Sequence, residues 1–169
     1  PLSWLRFMEV LKEAELPEGD LCLSMNRVWE IAESVGIEFT YDVVAALQFI
    51  DTYGDIIYID EEGLREWVFT RPEDMLEVMK SLIVDKPLGI DSRRALQAIR
   101  EEGFVDWKSL GLIWNANGFR QHGPLTRLFV EAGLAIEMKT GIIVTSRLPQ
   151  HVHLEQALLP LENECEITV

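Results

Sequence analysis

The chain has 169 residues with a hydrophobic content of 48%, enough for one ordinary domain or two small ones with a true core. Its 29 acidic and 15 basic residues give a formal net charge of −14 at pH 7. Nucleic acid binding depends on basic residues that release counterions from phosphates. This charge therefore disfavours nucleic acids and anionic membrane surfaces as partners.

The sequence gives no sign of export or of membrane insertion. It contains no run of about 18 apolar residues and no charged leader before an apolar run. Cys22 and Cys165 match no metal-ligand spacing. We therefore expect a cytoplasmic protein with reduced cysteines, the alternative being a disulfide in a secreted domain. Because the sequence begins at Pro1 and its last residues have the pattern of a strand that is just starting, we expect a piece of a longer protein.

The first half predicts helices followed by a β-hairpin. Apolar residues at i, i+3, i+4 and i+7 indicate the first helix, and glycines mark the ends of the next two. The run Asp60-Glu61-Glu62-Gly63 predicts a tight turn between two apolar strands. The predicted elements are a helix over 3–14, a short strand over 21–23, helices from 24 to about 36 and from 40 to 54, strands over 56–59 and 64–69, and a helix from the Thr70–Glu73 capping box to 83.

The second half predicts the same order of elements. FIDTYGDIIYIDEEG (49–63) and FVEAGLAIEMKTG (129–141) both run from a helix through glycine and an apolar strand to a turn. This similarity indicates an internal duplication. The predicted elements are a helix over 91–102, a strand over 104–105, a helix over 106–114 capped by Asp106, a helix over 124–132, and strands over 134–138 and 142–146.

These patterns predict an α+β fold of tandem winged-helix-like units, built from helices and short antiparallel β-hairpins. We expect an N-terminal linker helix over 1–20, a first unit over 21–86 and a second unit over 87–148. Residues 149–169 form a tail that leads into a further subdomain, and residues 85–89 are predicted to be a linker or tight loop.

The predicted third helix of a winged helix would enter a DNA groove, and its turn would touch phosphates. The helix over 40–53 has no Lys or Arg, and the turn over 60–63 has three carboxylates. The second unit is less repulsive to phosphates, because it contains Arg120, His122 and Arg127. A nucleic acid-binding winged helix in the second unit is therefore kept as the weakest alternative.

No catalytic or metal-binding arrangement is evident in the sequence. His151 and His153 could share a zinc ion only with a third ligand that the spacing does not supply. Paired carboxylates lie at predicted turns and helix ends, and no phosphate-binding loop or nucleophile elbow is found. We therefore expect no catalytic, cofactor-binding or metal-binding residue and no enzymatic activity in this segment.

A protein-interaction module remains, and six residues are candidates for its interface. Trp107 and Trp114 are seven residues apart, which places them on one helical face, and tryptophan is enriched at interfaces. The second hairpin turn and the residue after it complete the set, which is Trp107, Trp114, Lys139, Thr140, Gly141 and Ile142.

The order of segments resembles the COR domain (C-terminal of Roc) of Roco proteins. The similarity rests on FIDTYGDIIYID, LREWVFTRPEDMLEVM, GIDSRRALQAI, GIIVTSRLPQ and LPLENECEITV, which follow one another from residue 49 to residue 169. We expect the resemblance to extend over nearly the whole chain. Met75-Leu76 stands where the family has tryptophan-leucine, and Thr145 where it has proline. The leucine-rich-repeat kinase branch or its kinase-less relatives resemble the chain best.

The resemblance implies a role and partners. In Roco proteins a Ras-like GTPase domain, Roc, precedes COR and holds GTP or GDP with Mg²⁺. The resemblance implies that this chain is the first half of COR, that it packs on Roc, and that it transmits the nucleotide state to dimerisation and to an effector or kinase domain. The second half of COR and a second copy in a dimer are further implied partners. The alternative is a winged-helix subunit that binds proteins in another assembly.

Overall fold

The computed structural model describes residues 2–83 and 90–148, which form an α+β fold of helices and short antiparallel strands. The predicted fold class is confirmed. The helices are α1 (Leu2–Glu13), α2 (Met25–Ser34), α3 (Thr40–Thr52), α4 (Asp74–Ile83), α5 (Ile90–Glu102), α6 (Trp107–Ala116) and α7 (His122–Glu131). The strands are β1 (Leu23–Ser24), β2 (Trp67–Val68), β3 (Phe104–Asp106), β4 (Ala135–Met138) and β5 (Gly141–Val144), followed by a 3-10 turn over Thr145–Arg147.

The described residues pack into two compact units. The first comprises residues 2–80 and 117–128, and the second comprises 81–83, 90–116 and 129–148. Residues 117–128, which the sequence assigned to the second unit, thus pack within the first. The predicted boundaries themselves stay a prediction, since the linker over 85–89 and the tail over 149–169, with His151 and His153, lie outside the described residues.

The core of the first unit collects the apolar faces of α1, α2 and α3 against the small sheet. β1 pairs with β2 in antiparallel register, Leu23 opposite Val68, and Ile57 bridges to Phe69. Phe7 and Leu11 of α1 are fully buried in this core, so α1 packs as part of the unit. The buried core residues are Phe7, Leu11, Leu23, Val28, Ile31, Ala32, Ile37, Val43, Ala46, Leu47, Ile50, Ile56, Tyr58 and Val68.

The second half repeats this arrangement with longer strands. β5 lies between β3 and β4, and it is antiparallel to both. In each half a helix and a strand are followed by two helices, and the first strand pairs with the last. The two helices lead to one strand, β2, in the first half and to two strands, β4 and β5, in the second. The third helix of each half ends just before a glycine with positive φ, 75° at Gly54 and 70° at Gly133, the conformation that a left-handed helix stop requires.

The first hairpin is shorter than predicted. The amides of Leu64 and Arg65 both donate to the Glu61 carbonyl, so the turn continues to residue 66 and β2 starts only at Trp67. Leu64 is buried, and its burial is compatible with a turn that leads back into the core. The predicted strand over 56–59 is reduced to the single bridge at Ile57.

The residues that precede α2 and α6 differ in capping. Ser24 precedes α2, and its residue type predicts a cap, but its side chain makes no capping hydrogen bond. Asp106 caps α6, because its Oδ1 accepts a hydrogen bond of 3.0 Å from the Ser109 amide. The hydrogen bonds from Ser109 hold the pKa of the Asp106 carboxyl below its ordinary value.

Candidate interaction surfaces

The β4–β5 turn is fastened to the start of α6 by Trp107. The Trp107 amide donates to the Thr140 carbonyl at 3.2 Å, and the indole Nε1 donates to the Lys139 carbonyl at 3.1 Å. Trp107 nevertheless remains 38% exposed, and Lys139 and Thr140 are exposed. These three of the six interface candidates therefore form one surface, which we call the turn surface, and their role in binding stays a prediction.

The other three candidates are buried. Trp114 and Ile142 are fully buried, and the Trp114 ring meets Phe129 edge-on with centroids 6.0 Å apart. Gly141 is buried opposite Asp106, where an added Cβ would come within 2.1 Å of the Val105 carbonyl oxygen. Direct contact with a partner therefore does not fit Trp114 or Ile142. Helical spacing placed both tryptophans on one face, but the core covers only the second one.

A side-chain amide clamps two distant segments of the first unit together. Gln121 Oε1 accepts the amides of Leu21 and Cys22 at 2.7 and 2.8 Å, and Nε2 donates to the Cys22 carbonyl at 2.9 Å. The Cys22 thiol also donates to Oε1 at 3.1 Å. Burial, and secondarily the charge of Asp20, raises the pKa of that thiol to about 12. The sequence did not predict these hydrogen bonds, because nothing in the sequence around a single glutamine indicates which distant backbone groups its side chain will bind.

Arg120 and Arg127, two of the basic residues for which nucleic acid binding remained an alternative, contact other parts of the first unit. The Arg120 amide donates to the Gly19 carbonyl at 2.9 Å, and its side chain lies over Gly19. The Arg127 side chain lies over Gly63 in the acidic turn. Both arginines remain exposed, and each lies against a glycine of the first unit.

The described residues show no cluster of side chains typical of a metal site. No group of three or more His, Cys, Asp or Glu side chains that could hold a metal occurs among them. The resolved pKa shifts have local structural causes: burial for Cys22, the helix cap for Asp106, and for Tyr58 burial together with the Asp60 charge, which raise its pKa against the opposing effect of Arg65. Within 2–83 and 90–148, no helix has the length and apolar character needed to cross a membrane.

Comparison with known proteins gives a fold and no close relative. No family model matches the sequence, and no curated protein matches it. The chain is similar to a solved structure from Methanosarcina barkeri, Roco2 RocCORdC bound to GDP, with a TM-score of 0.68. The two are 12% identical, and the match covers 86% of this chain and 43% of that one.

The fold is COR-like. At 12% identity the likeness establishes the fold alone, and it leaves the branch of the family and the half of COR open. The chain spans less than half of the Roco2 chain that it matches. The COR-like fold agrees with the resemblance found in the sequence.

Proposed function

We propose that this chain is a non-catalytic coupling and protein-interaction module of a Roco GTPase. It packs on a Roc GTPase domain of the same polypeptide and transmits the nucleotide state to dimerisation and to an effector or kinase domain. The COR-like fold is the observation that carries this proposal. The segment order in the sequence favours the first half of COR and the leucine-rich-repeat kinase branch or its kinase-less relatives.

In this proposal the chain itself binds no nucleotide and catalyses no reaction. GTP or GDP and Mg²⁺ belong to the adjoining Roc domain, and the second half of COR and a second copy of the chain are further partners. The protein acts in the cytoplasm. Nucleic acid has no part in its function, because the net charge of −14 opposes phosphate binding.

Coupling requires contacts that differ in energy between the two nucleotide states, by about 1–3 kcal/mol in typical cases. The turn surface is well suited to such contacts. Trp107 offers a rigid aromatic edge held by two hydrogen bonds to the turn, and Lys139 supplies a cation beside it. Aromatic residues held in this way contribute much of the binding energy at protein interfaces.

The first test is to read the coding sequence upstream of residue 1. The proposal requires a GTPase domain with a GxxxxGKS or GxxxxGKT motif within about 200 residues, given ordinary domain sizes. That domain is then titrated with the chain by calorimetry in its GDP-bound and GTP-analogue-bound forms. We expect binding in both forms with a difference of about 5- to 150-fold.

Two variants and a control assign the binding to the turn surface. Lys139→Glu and Trp107→Ala should weaken binding about tenfold or more, whereas Arg94→Glu, an exposed charge reversal on α5, should not. Absence of the GTPase motif, or no binding in either nucleotide state, would refute the proposed function.

A further inference from the structure

The outward face of α3 carries no charged residue. The exposed residues of this helix are Thr40, Tyr41, Gln48, Phe49 and Thr52. The two carboxylates of α3 lie at its half-buried flanks, and Asp51 Oδ1 accepts a hydrogen bond of 3.0 Å from the Tyr58 amide. In a chain with 29 acidic residues, an uncharged helix face is a specific feature that calls for an explanation.

Exposed aromatic rings mark both ends of the same face. At its end, the Phe49 ring lies 5.6 Å from that of Trp4 and 5.0 Å from that of Tyr53, which is 70% exposed. At its start, Tyr41 stacks on Phe39 at 5.6 Å, with both rings more than half exposed. Aromatic enrichment with depletion of charge is the composition of an interface centre.

Acidic residues predominate in the part of the chain that carries this face. Residues 2–55, which include α1, α2 and α3, contain eleven acidic but only three basic residues. Glu38 and Asp42, which we call the acidic rim, lie next in sequence to the rings at the start of the face, and Glu38 is exposed. Near its end, Asp55 is paired with Lys12 at 2.5 Å. A partner that covers the aromatic centre would therefore bind best if it presented basic residues at its edges.

We propose that the α3 face, defined by Tyr41, Gln48, Phe49, Thr52 and Tyr53, is a docking surface for a basic amphipathic helix of a partner protein. The face runs for about 20 Å along α3, which matches a partner helix of three to four turns. A helix laid with its apolar side on this face would bring its basic side residues to the acidic rim. A second copy of the chain would oppose one acidic rim to another, and repulsion disfavours that pairing. The proposal does not rest on the proposed function.

The test uses the whole chain and synthetic probes. A fluorescein-labelled 14-residue helical peptide of leucine and lysine, with leucine on one face, is titrated with the chain at about 0.15 M salt, and its leucine–glutamate counterpart is titrated in parallel. We expect micromolar binding of the lysine peptide by fluorescence anisotropy and no binding of the glutamate peptide. The double variant Tyr41→Ser/Tyr53→Ser should weaken the binding of the lysine peptide about tenfold or more.

A control separates this site from general charge attraction. Leu76→Ser removes another exposed apolar side chain, on α4, and also leaves the charge unchanged, so its Kd should stay within about twofold of the wild-type value. Gln48→Lys places a cation in the face and should weaken binding without truncating a ring.

Three results would overturn the proposal. The first is wild-type affinity for the lysine peptide in both the double variant and Gln48→Lys, and the second is an equal loss in Leu76→Ser. The third is a dimer of the chain, detected by sedimentation, that the double variant abolishes, since the occupant of the face would then be a second copy.

Discussion

Gln121 satisfies three backbone groups and a thiol with a single side-chain amide. Its partners lie about a hundred residues away in sequence, so this one residue holds a long-range contact of the first unit in place. Removing it would leave the amides of Leu21 and Cys22 without their acceptor, and a buried donor that loses its acceptor costs more than the net energy of a typical hydrogen bond.

We expect Gln121→Leu to lower the free energy of unfolding by about 2–3 kcal/mol, from two unsatisfied amides. Urea denaturation followed by circular dichroism measures the change. The control is Gln97→Leu on α5, where the exposed amide donates to Glu101 at 2.8 Å, and we expect a loss below about 0.5 kcal/mol. Equal decreases in the free energy of unfolding of the two variants would contradict a stabilising role for the Gln121 hydrogen bonds.

The Cys22 thiol should be protected from alkylation in the folded protein. Thiols react as thiolates, and a pKa of about 12 in place of the ordinary 9.0 lowers the thiolate fraction at pH 8 about a thousandfold. In a Cys165→Ser background, iodoacetamide should label Cys22 only when urea unfolds the chain. Fast labelling of the folded protein at pH 8 would show that the thiol is neither buried nor clamped.

The same shift gives the thiol a pH-dependent effect on stability. Because the folded pKa is raised, this contribution is complete below pH 9 and is lost as the pH rises towards 12. The free energy of unfolding of the Cys165→Ser chain should therefore fall more steeply above pH 9 than that of the same chain with Cys22→Ala.

At the scale of elements, the second sheet depends on how closely β5 approaches β3. Gly141 makes that approach possible, since a Cβ there would lie 2.1 Å from the Val105 carbonyl oxygen and 2.7 Å from the Asp106 Cα. The sequence marked Gly141 as part of a turn and did not reveal this constraint, because the neighbouring strand is more than thirty residues away.

We expect Gly141→Ala to destabilise the protein by about 3 kcal/mol or more, because backbone atoms of β3 would have to move. The control is Gly123→Ala in α7, where nothing lies within 4 Å of an added Cβ. That change should alter the free energy of unfolding by less than about 1 kcal/mol, because Gly123 lies in the first turn of α7 and directly precedes Pro124. The comparison fails if urea denaturation gives both variants the same loss.

Element order was predictable from local signals. The helical stripes, the glycines after α3 and α7, and the capping carboxylate of Asp106 each act over only a few residues. The length of the first hairpin was not predictable. Its apolar residues suit a strand equally well, and the turn through Glu66 is seen only in the backbone hydrogen bonds from Leu64 and Arg65.

At the scale of the whole molecule, charge sets the choice of partners. A formal charge of −14 disfavours phosphate polymers everywhere on the surface, and the acidic turn over 60–63 occupies the position where a winged helix would touch a DNA backbone. Proteins with basic docking segments are attracted by the same field.

The chain should show no saturable binding to a labelled duplex of about 20 base pairs in fluorescence anisotropy, even at about 100 µM protein and low salt. A variant with Asp60→Lys, Glu61→Lys and Glu62→Lys changes the charge by +6 and should begin to bind weakly, with an affinity that falls as salt is added. Micromolar binding of duplex by the unaltered chain, weakened by salt, would revive the nucleic acid alternative.

The sequence by itself determined the α+β class, the repeated order of helices and strands, and the sign of the surface charge. The fold class and the element order depend on residues that are close together in the sequence, and the sign of the charge depends only on the numbers of acidic and basic residues. Only the tertiary structure decided which tryptophan is core, where Gln121 binds, and that residues 117–128 pack within the first unit. Those outcomes depend on contacts between residues far apart along the chain, and periodicity carries no information about which distant surfaces will meet.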